Sequence, residues 1–146
     1  MAIDLKTLSK PNGVRPIIAT IFGEGGMGKT TLAAMFPAPV FIRTEDGTAS
    51  LVGNDDVSLF PIAQSSQDVL DAIEALATQD HAYKTVVIDS ITQLATLIEH
   101  EIVEADPKAK AINQAGGGYG AGYNTAAERH RLMREWAGSL AYDRGM

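Results

Sequence analysis

The sequence GEGGMGKT at residues 23–30 decides how the rest of this chain is interpreted. Gly23, Gly28, Lys29 and Thr30 match the spacing G-x-x-x-x-G-K-[ST]. Glycines allow the backbone to wrap closely around a phosphate group with several N–H groups pointing inward, and a helix that follows adds the positive end of its dipole. The stretch therefore predicts a phosphate-binding loop between a strand and a helix.

The polar side chains of this loop have predicted roles in holding a nucleotide. Lys29 is expected to reach the β- and γ-phosphates, and the Thr30 hydroxyl is expected to join the coordination shell of a magnesium ion. The predicted ligand is ATP or GTP with Mg²⁺. The predicted nucleotide contacts are Gly23, Glu24, Gly25, Gly26, Met27, Gly28, Lys29, Thr30 and Thr31.

Short apolar runs and helical periodicity surround the loop. The run PIIATIF at residues 16–22 predicts a buried strand before it, and residues 30–36 predict a helix after it, which two prolines end. Residues 40–42 and 85–88 predict two more strands. Strands that alternate with helices indicate an α/β fold of three layers, with a parallel sheet covered on both faces.

Three further helices are predicted from apolar residues at helical spacing. They cover residues 67–77, 92–105 and 125–142. Capping boxes are expected at the first and last of them, formed by Ser65 with Asp68 and by Thr125 with Glu128. Gly145 stands where a cap at the C-terminal end of the last helix belongs.

Two acidic positions follow predicted strands. Asp89 ends the run TVVID, and such a carboxylate suits a magnesium ion held through water; the alternative is that it only caps the next helix. Glu45 follows the second strand, at the sheet edge where ligands of open α/β folds bind, and is the candidate for orienting an attacking water. Asp46 is the second candidate. The alternative is that both are turn residues before Gly47.

Residues 106–124 are rich in glycine and predict a flexible loop, either functional or disordered. Tyr119 and Tyr123 could stack on the bases of single-stranded DNA, with Arg129 and Arg131 close by in the chain. The alternative is a loop that becomes ordered only against a neighbouring subunit, or not at all.

The length of 146 residues predicts a single domain, and the loop makes it a nucleotide-binding domain of residues 1–146, with residues 1–12 as an N-terminal extension. Twelve Lys and Arg against eighteen Asp and Glu give a net charge of -6, which disfavours general attraction to nucleic acid. The absence of cysteine excludes disulfides and thiolate metal sites. We expect a cytoplasmic protein, because no apolar run is long enough to cross a membrane and the start lacks the pattern of a secretory signal.

The motifs PIIATIFGEGGMGKTTLA, FPAPVFIRTEDG and YKTVVIDSITQL, followed by GGYGAGYN and a final DRGM, together resemble the phage-encoded branch of RecA-like ATPases, which is related to single-strand annealing and recombination proteins. The resemblance implies that Glu45 activates water, that Asp89 and Thr30 hold magnesium and that Lys29 is catalytic. It also implies that the protein acts in the cytoplasm of the phage host. Members of that family continue past DRGM into further strands, one of which lies between the strand before the phosphate-binding loop and the strand that bears the aspartate. We therefore expect a core that is incomplete on its C-terminal side.

That expectation leaves three arrangements open. The strand at residues 16–22 pairs directly with the strand at residues 85–88, a partner supplies a strand, or the chain is a fragment of a longer product. Three functions are also open. The first is an ATPase of DNA recombination or annealing that forms homo-oligomers on single-stranded DNA. The second is a nucleotide-binding module without turnover that binds a partner protein as inhibitor or assembly factor, and the third is a small-molecule kinase. The kinase shares the loop, but the chain has no arginine-rich lid.

Overall fold

The computed structural model describes residues 16–146; the predicted extension at residues 1–12 lies outside them. The described part contains α1 Lys29–Ala33, β1 Pro39–Arg43, β2 Ser58–Ile62, α2 Ser66–Thr78, β3 Thr85–Asp89, α3 Ile91–Glu104 and α4 Ala121–Asp143. Short 3-10 turns cover Thr48–Leu51 and Ala115–Gly117. No helix in this part of the chain combines the length and the apolar character that crossing a membrane requires.

The three strands form a parallel sheet in the order β2-β1-β3. β1 lies in the middle, and its apolar side chains Val40, Phe41 and Ile42 are buried. The register between β1 and β3 runs without interruption from Pro39 opposite Thr85 to Arg43 opposite Asp89. The carboxyl ends of these two strands therefore meet at the same edge of the sheet.

Helices cover both faces of this sheet. On one face, α2, α3 and α4 pack over β1 in a core that includes Ile42, Val69, Ile98 and Leu140. On the other face, Phe41 packs with Ala33 of α1 and with Leu51. The predicted α/β architecture of three layers is present in this coarse sense.

Several predicted elements are confirmed. The strands expected at residues 40–42 and 85–88 are the centres of β1 and β3, and α2 and α3 extend or shift the predicted helices by about one residue. The capping box of Ser65 with Asp68 is present, and Gly145 ends α4 with a φ of 68°. β2 is an additional strand that the sequence did not predict. It contains Pro61, and proline is disfavoured in strands except at the edge of a sheet, which is where β2 lies.

The buried strand predicted at residues 16–22 is wrong: these residues form no strand, and Ile17 and Phe22 are 86% and 93% exposed. A strand needs a neighbour for its backbone hydrogen bonds and a covering layer for its apolar side chains. Within residues 16–146, β3 pairs only with β1, so its second edge does not pair with residues 16–22. Direct pairing, the first of the three arrangements, is therefore not observed.

The start of α4 also differs from the prediction. α4 begins at Ala121, four residues before Thr125, and Gly120 with a φ of 86° is its N-cap. Thr125 Oγ1 donates to the carbonyl oxygen of Ala121 instead of capping a helix, so the second capping box is wrong. Thr125 lies inside the helix, where a threonine hydroxyl can bond to the carbonyl oxygen four residues earlier, so it does not cap the start of α4.

Residues 106–124 are more structured than a featureless loop. The Asp106 carboxylate accepts hydrogen bonds from the amides of Lys108 at 3.0 Å and Gly116 at 2.9 Å, which keep the pKa of Asp106 below its usual value. Ala115 is buried in the main core. The stretch is thus closed around one carboxylate before α4 begins.

A glutamate on α3 connects three helices. Glu101 Oε1 accepts from the backbone N–H of Ser66 and Oε2 accepts from the Ser66 hydroxyl, both at 2.6 Å, while Arg129 Nη1 of α4 donates to Oε2 at 2.8 Å. Ser66 is buried. Because the amide of Ser66 belongs to the first turn of α2, where N–H groups have no partner within the helix, Glu101 satisfies it.

Candidate functional site

The phosphate-binding loop is a glycine turn that leads directly into α1. Gly26 and Gly28 have φ values of 79° and 81°, which residues other than glycine rarely adopt, and Gly28 is the N-cap of α1. The first amide to donate along this helix is that of Leu32, to the carbonyl oxygen of Gly28 at 2.8 Å. The N–H groups at the start of α1 are therefore available to an anion.

The side chain of Lys29 folds back over the loop. Its ammonium Nζ donates to the carbonyl oxygens of Gly23 and Glu24, each at 2.8 Å. The charge therefore lies beside the segment that the motif assigns to phosphate binding. Phosphate oxygens can replace these carbonyl oxygens as partners of the same ammonium group, because all are hydrogen-bond acceptors.

Thr30 and Asp89 meet although they lie 59 residues apart in the chain. Thr30 Oγ1 donates to Asp89 Oδ2 at 2.7 Å, and both groups are half-buried. Hydroxyl and carboxylate oxygens are the kind of ligands that Mg²⁺ prefers. Residues 16–146 contain no group of three or more acidic or histidine side chains that could hold a metal alone, so Mg²⁺ here would also take phosphate and water oxygens.

Asp89 is not required as a helix cap. The hydroxyl of Ser90 accepts from the amide of Gln93 at 3.2 Å and is the N-cap of α3. The alternative interpretation of Asp89, as the capping residue, is therefore wrong. Its carboxylate instead faces Thr30.

Glu45 and Asp46 lie in the turn after β1, and both are exposed. Arg43 is the register partner of Asp89, so Glu45 stands two residues past that pair at the same edge of the sheet. The described structure therefore brings the loop, Asp89 and the acidic turn to one region.

Thr44 belongs to this region and was missed by the sequence reasoning. It is 5% exposed; its hydroxyl donates to the Ser90 carbonyl oxygen at 2.8 Å and accepts from the Ser90 amide at 2.9 Å. Its own amide donates to the carbonyl oxygen of Asp89 at 2.9 Å. A threonine between an apolar strand and an acidic turn has no distinctive sequence pattern, so only the pairing of β1 with β3 reveals these contacts.

The residues considered for contact with DNA are placed differently from one another. Tyr119 and Tyr123 are exposed near the start of α4. Arg129 pairs with Glu101, and Arg131 pairs with Glu128 and Glu135, which lowers the pKa of Glu128. Both guanidinium groups are thus engaged with carboxylates.

Comparison with known proteins finds one family. A family model described as an AAA domain matches residues 15–142. No curated protein matches the chain. No solved structure matches it either.

Proposed function

The chain belongs to the AAA domain family, and on that premise we propose that it binds ATP with Mg²⁺ at residues 23–31 and hydrolyses the nucleotide. The observation that carries the proposal is the 2.7 Å hydrogen bond between Thr30 Oγ1 and Asp89 Oδ2, directly beside the phosphate-binding loop. It supports a metal site at the position where the β- and γ-phosphates would lie.

In this proposal, four groups have separate roles. The loop amides and Lys29 bind the phosphates, and Thr30 with Asp89 holds the metal ion, which supplies charge neutralisation when it is bound. Glu45 orients the attacking water. Its exposed position at the same sheet edge as Asp89 supports this role.

The test is equilibrium binding of ATP and of GTP, each with Mg²⁺ and with EDTA, followed by measurement of phosphate release. We expect Mg²⁺-dependent binding of ATP that Lys29→Ala weakens by about tenfold or more, because a hydrogen bond to a charged group contributes roughly 1.5–3 kcal/mol. Lys84→Ala, which removes an exposed lysine before β3, is the matched control and should bind normally. Equal binding by wild type and Lys29→Ala would contradict the proposed site.

Hydrolysis is tested separately from binding. Glu45→Gln should bind ATP normally and lose most turnover, whereas Asp46→Asn should retain it. Binding without turnover by wild type would instead favour the nucleotide-binding module that acts on a partner protein. Phosphate transfer to a small molecule in a substrate screen would favour a kinase.

A role in DNA recombination or annealing, of the RecA-like and phage-encoded type, is a second candidate. The exposed rings of Tyr119 and Tyr123 favour it, because exposed aromatic side chains can stack on unpaired bases. Since Arg129 and Arg131 are engaged in ion pairs, the contact would depend mainly on the tyrosines. Single-stranded DNA should then stimulate ATP turnover and favour an oligomer, and the double variant Tyr119→Ala, Tyr123→Ala should abolish both effects without changing the basal rate.

A further inference from the structure

Thr44 lies between the two acidic groups of the proposed site. It is the residue before Glu45, and its amide and hydroxyl contact the backbone of Asp89 and Ser90 in the neighbouring strand end. A threonine hydroxyl offers one donor and two acceptor lone pairs. Here the donor and one lone pair are both used on Ser90, so the orientation of the hydroxyl is fixed.

These bonds continue the connection between β1 and β3 beyond the last backbone pair. The register ends at Arg43 opposite Asp89, and Thr44 then holds the next residue through its side chain. Burial strengthens this attachment, because a buried polar group that loses its partner carries the full cost of desolvation. The attachment therefore fixes where β3 ends.

The position of the Asp89 carboxylate depends on where β3 ends. Asp89 Oδ2 reaches Thr30 Oγ1 while the backbone of Asp89 is in register with Arg43 of β1. Thr44 bonds to the carbonyl oxygen of Asp89 and to the amide of Ser90, on both sides of the link between these residues. We propose that Thr44 is a positioning residue of the nucleotide site, which places Asp89 for the metal ion and holds the turn with Glu45 beside it. This inference rests on the proposed function.

Two substitutions separate the hydroxyl from the shape of the side chain. Thr44→Val keeps the volume and removes the hydrogen bonds, whereas Thr44→Ser keeps the hydroxyl. We expect wild type and Thr44→Ser to bind ATP more tightly with Mg²⁺ than with EDTA. Thr44→Val should keep the affinity measured in EDTA within about twofold and lose at least about fivefold of the enhancement by Mg²⁺. If wild type hydrolyses ATP, Thr44→Val should lower kcat by a larger factor than it raises KM.

Thr48→Val is the matched control. Thr48 is a second buried threonine in the same turn, 8% exposed, and its hydroxyl accepts from Arg43 Nη1 of β1 at 3.2 Å. It should leave the enhancement by Mg²⁺ unchanged, and thermal unfolding without nucleotide shows whether each variant is folded. If Thr44→Val does not fold, Thr44→Ala replaces it in the same comparison.

The outcomes distinguish the inference from the function on which it rests. If wild type binds no nucleotide, the proposed function fails. If wild type shows the enhancement by Mg²⁺ and folded Thr44→Val matches it, only the role of Thr44 is overturned. Equal losses in Thr44→Val and Thr48→Val would also overturn that role, because they would reflect general loosening of the turn.

Discussion

The residues around the phosphate-binding loop differ in how firmly the rest of the chain holds them. Thr44 is buried and makes three hydrogen bonds to the end of β3, whereas Glu45, directly after it, is exposed. Thr30 and Asp89 are half-buried and hold each other. Groups proposed to act on the nucleotide are thus accessible, while the residue that supports them is enclosed.

Two glycines on α4 illustrate how strongly the surroundings decide the effect of a single methyl group. A Cβ on Gly122 would lie 2.2 Å from the carbonyl oxygen of Ile112. A Cβ on Gly138 would have Ile18 Cδ1 as its nearest neighbour, at 3.7 Å. Gly122→Ala should therefore destabilise the protein by about 2 kcal/mol or more. Gly138→Ala should stabilise it by up to about 1 kcal/mol, because alanine favours a helix over glycine. Urea unfolding measures both, and equal effects would contradict the packing described at Ile112.

At the scale of elements, Glu101 connects α2, α3 and α4. Glu101→Ala would leave the buried amide and hydroxyl of Ser66 without their acceptor and remove the partner of Arg129. We expect a loss of about 2–3 kcal/mol in the free energy of unfolding, the usual cost of buried groups left unsatisfied. Glu104→Ala is the control, because Glu104 is an exposed residue of the same helix that pairs with His100. A change of less than about 0.5 kcal/mol in Glu101→Ala would show that the three helices do not need this connection.

The N-terminal end of α2 predicts a dependence of stability on pH. Hydrogen bonds from the amides of Gln64 and Ser65 keep the pKa of Asp68 below its ordinary value of 3.8. The unfolded chain therefore takes up a proton more readily, so this contribution is present above pH 3.8 and is lost as pH falls through the lowered pKa. Asp68→Asn should show a shallower loss of stability below about pH 4 than wild type. Asp71→Asn, outside the capping box, should follow wild type in the same acid titration of unfolding.

For the molecule as a whole, apolar side chains are unevenly covered. Phe41 lies in the centre of the sheet and is fully buried, while Ile17, Phe22 and Met35, near the phosphate-binding loop, are exposed. Apolar side chains are therefore covered around β1 and exposed in the segments that flank the loop. Exposed apolar side chains of this kind often mark a surface for another chain or segment.

Paired phenylalanine substitutions test that distribution. Phe22→Ala should change the free energy of unfolding by no more than about 0.5 kcal/mol, because an exposed ring loses little contact. Phe41→Ala should cost about 3–5 kcal/mol, since it leaves a cavity in the core. Phe22→Ala should also reduce the binding of a hydrophobic dye. A large destabilisation by Phe22→Ala would show that residues 16–22 pack against the rest of the chain in solution.

Much of the fold could be predicted from local patterns. β1, β3, α2 and α3 follow from short apolar runs, helical periodicity and the capping box of Ser65 with Asp68, which depend on neighbours in the chain. The strand at residues 16–22 failed because a strand also requires a partner, and its apolar pattern carries no information about whether that partner is present. The predicted start of α4 at Thr125 was wrong because the helix begins directly after Gly120, which is its N-cap.

The candidate site divides in the same way. The sequence by itself determined the phosphate-binding loop, because the positions of its glycines, Lys29 and Thr30 are local and each has a chemical reason. Only the tertiary structure decided that Asp89 reaches Thr30 and that Thr44 holds the end of β3. Both contacts join residues more than forty positions apart, and the contact of Thr44 continues the parallel pairing of β1 with β3.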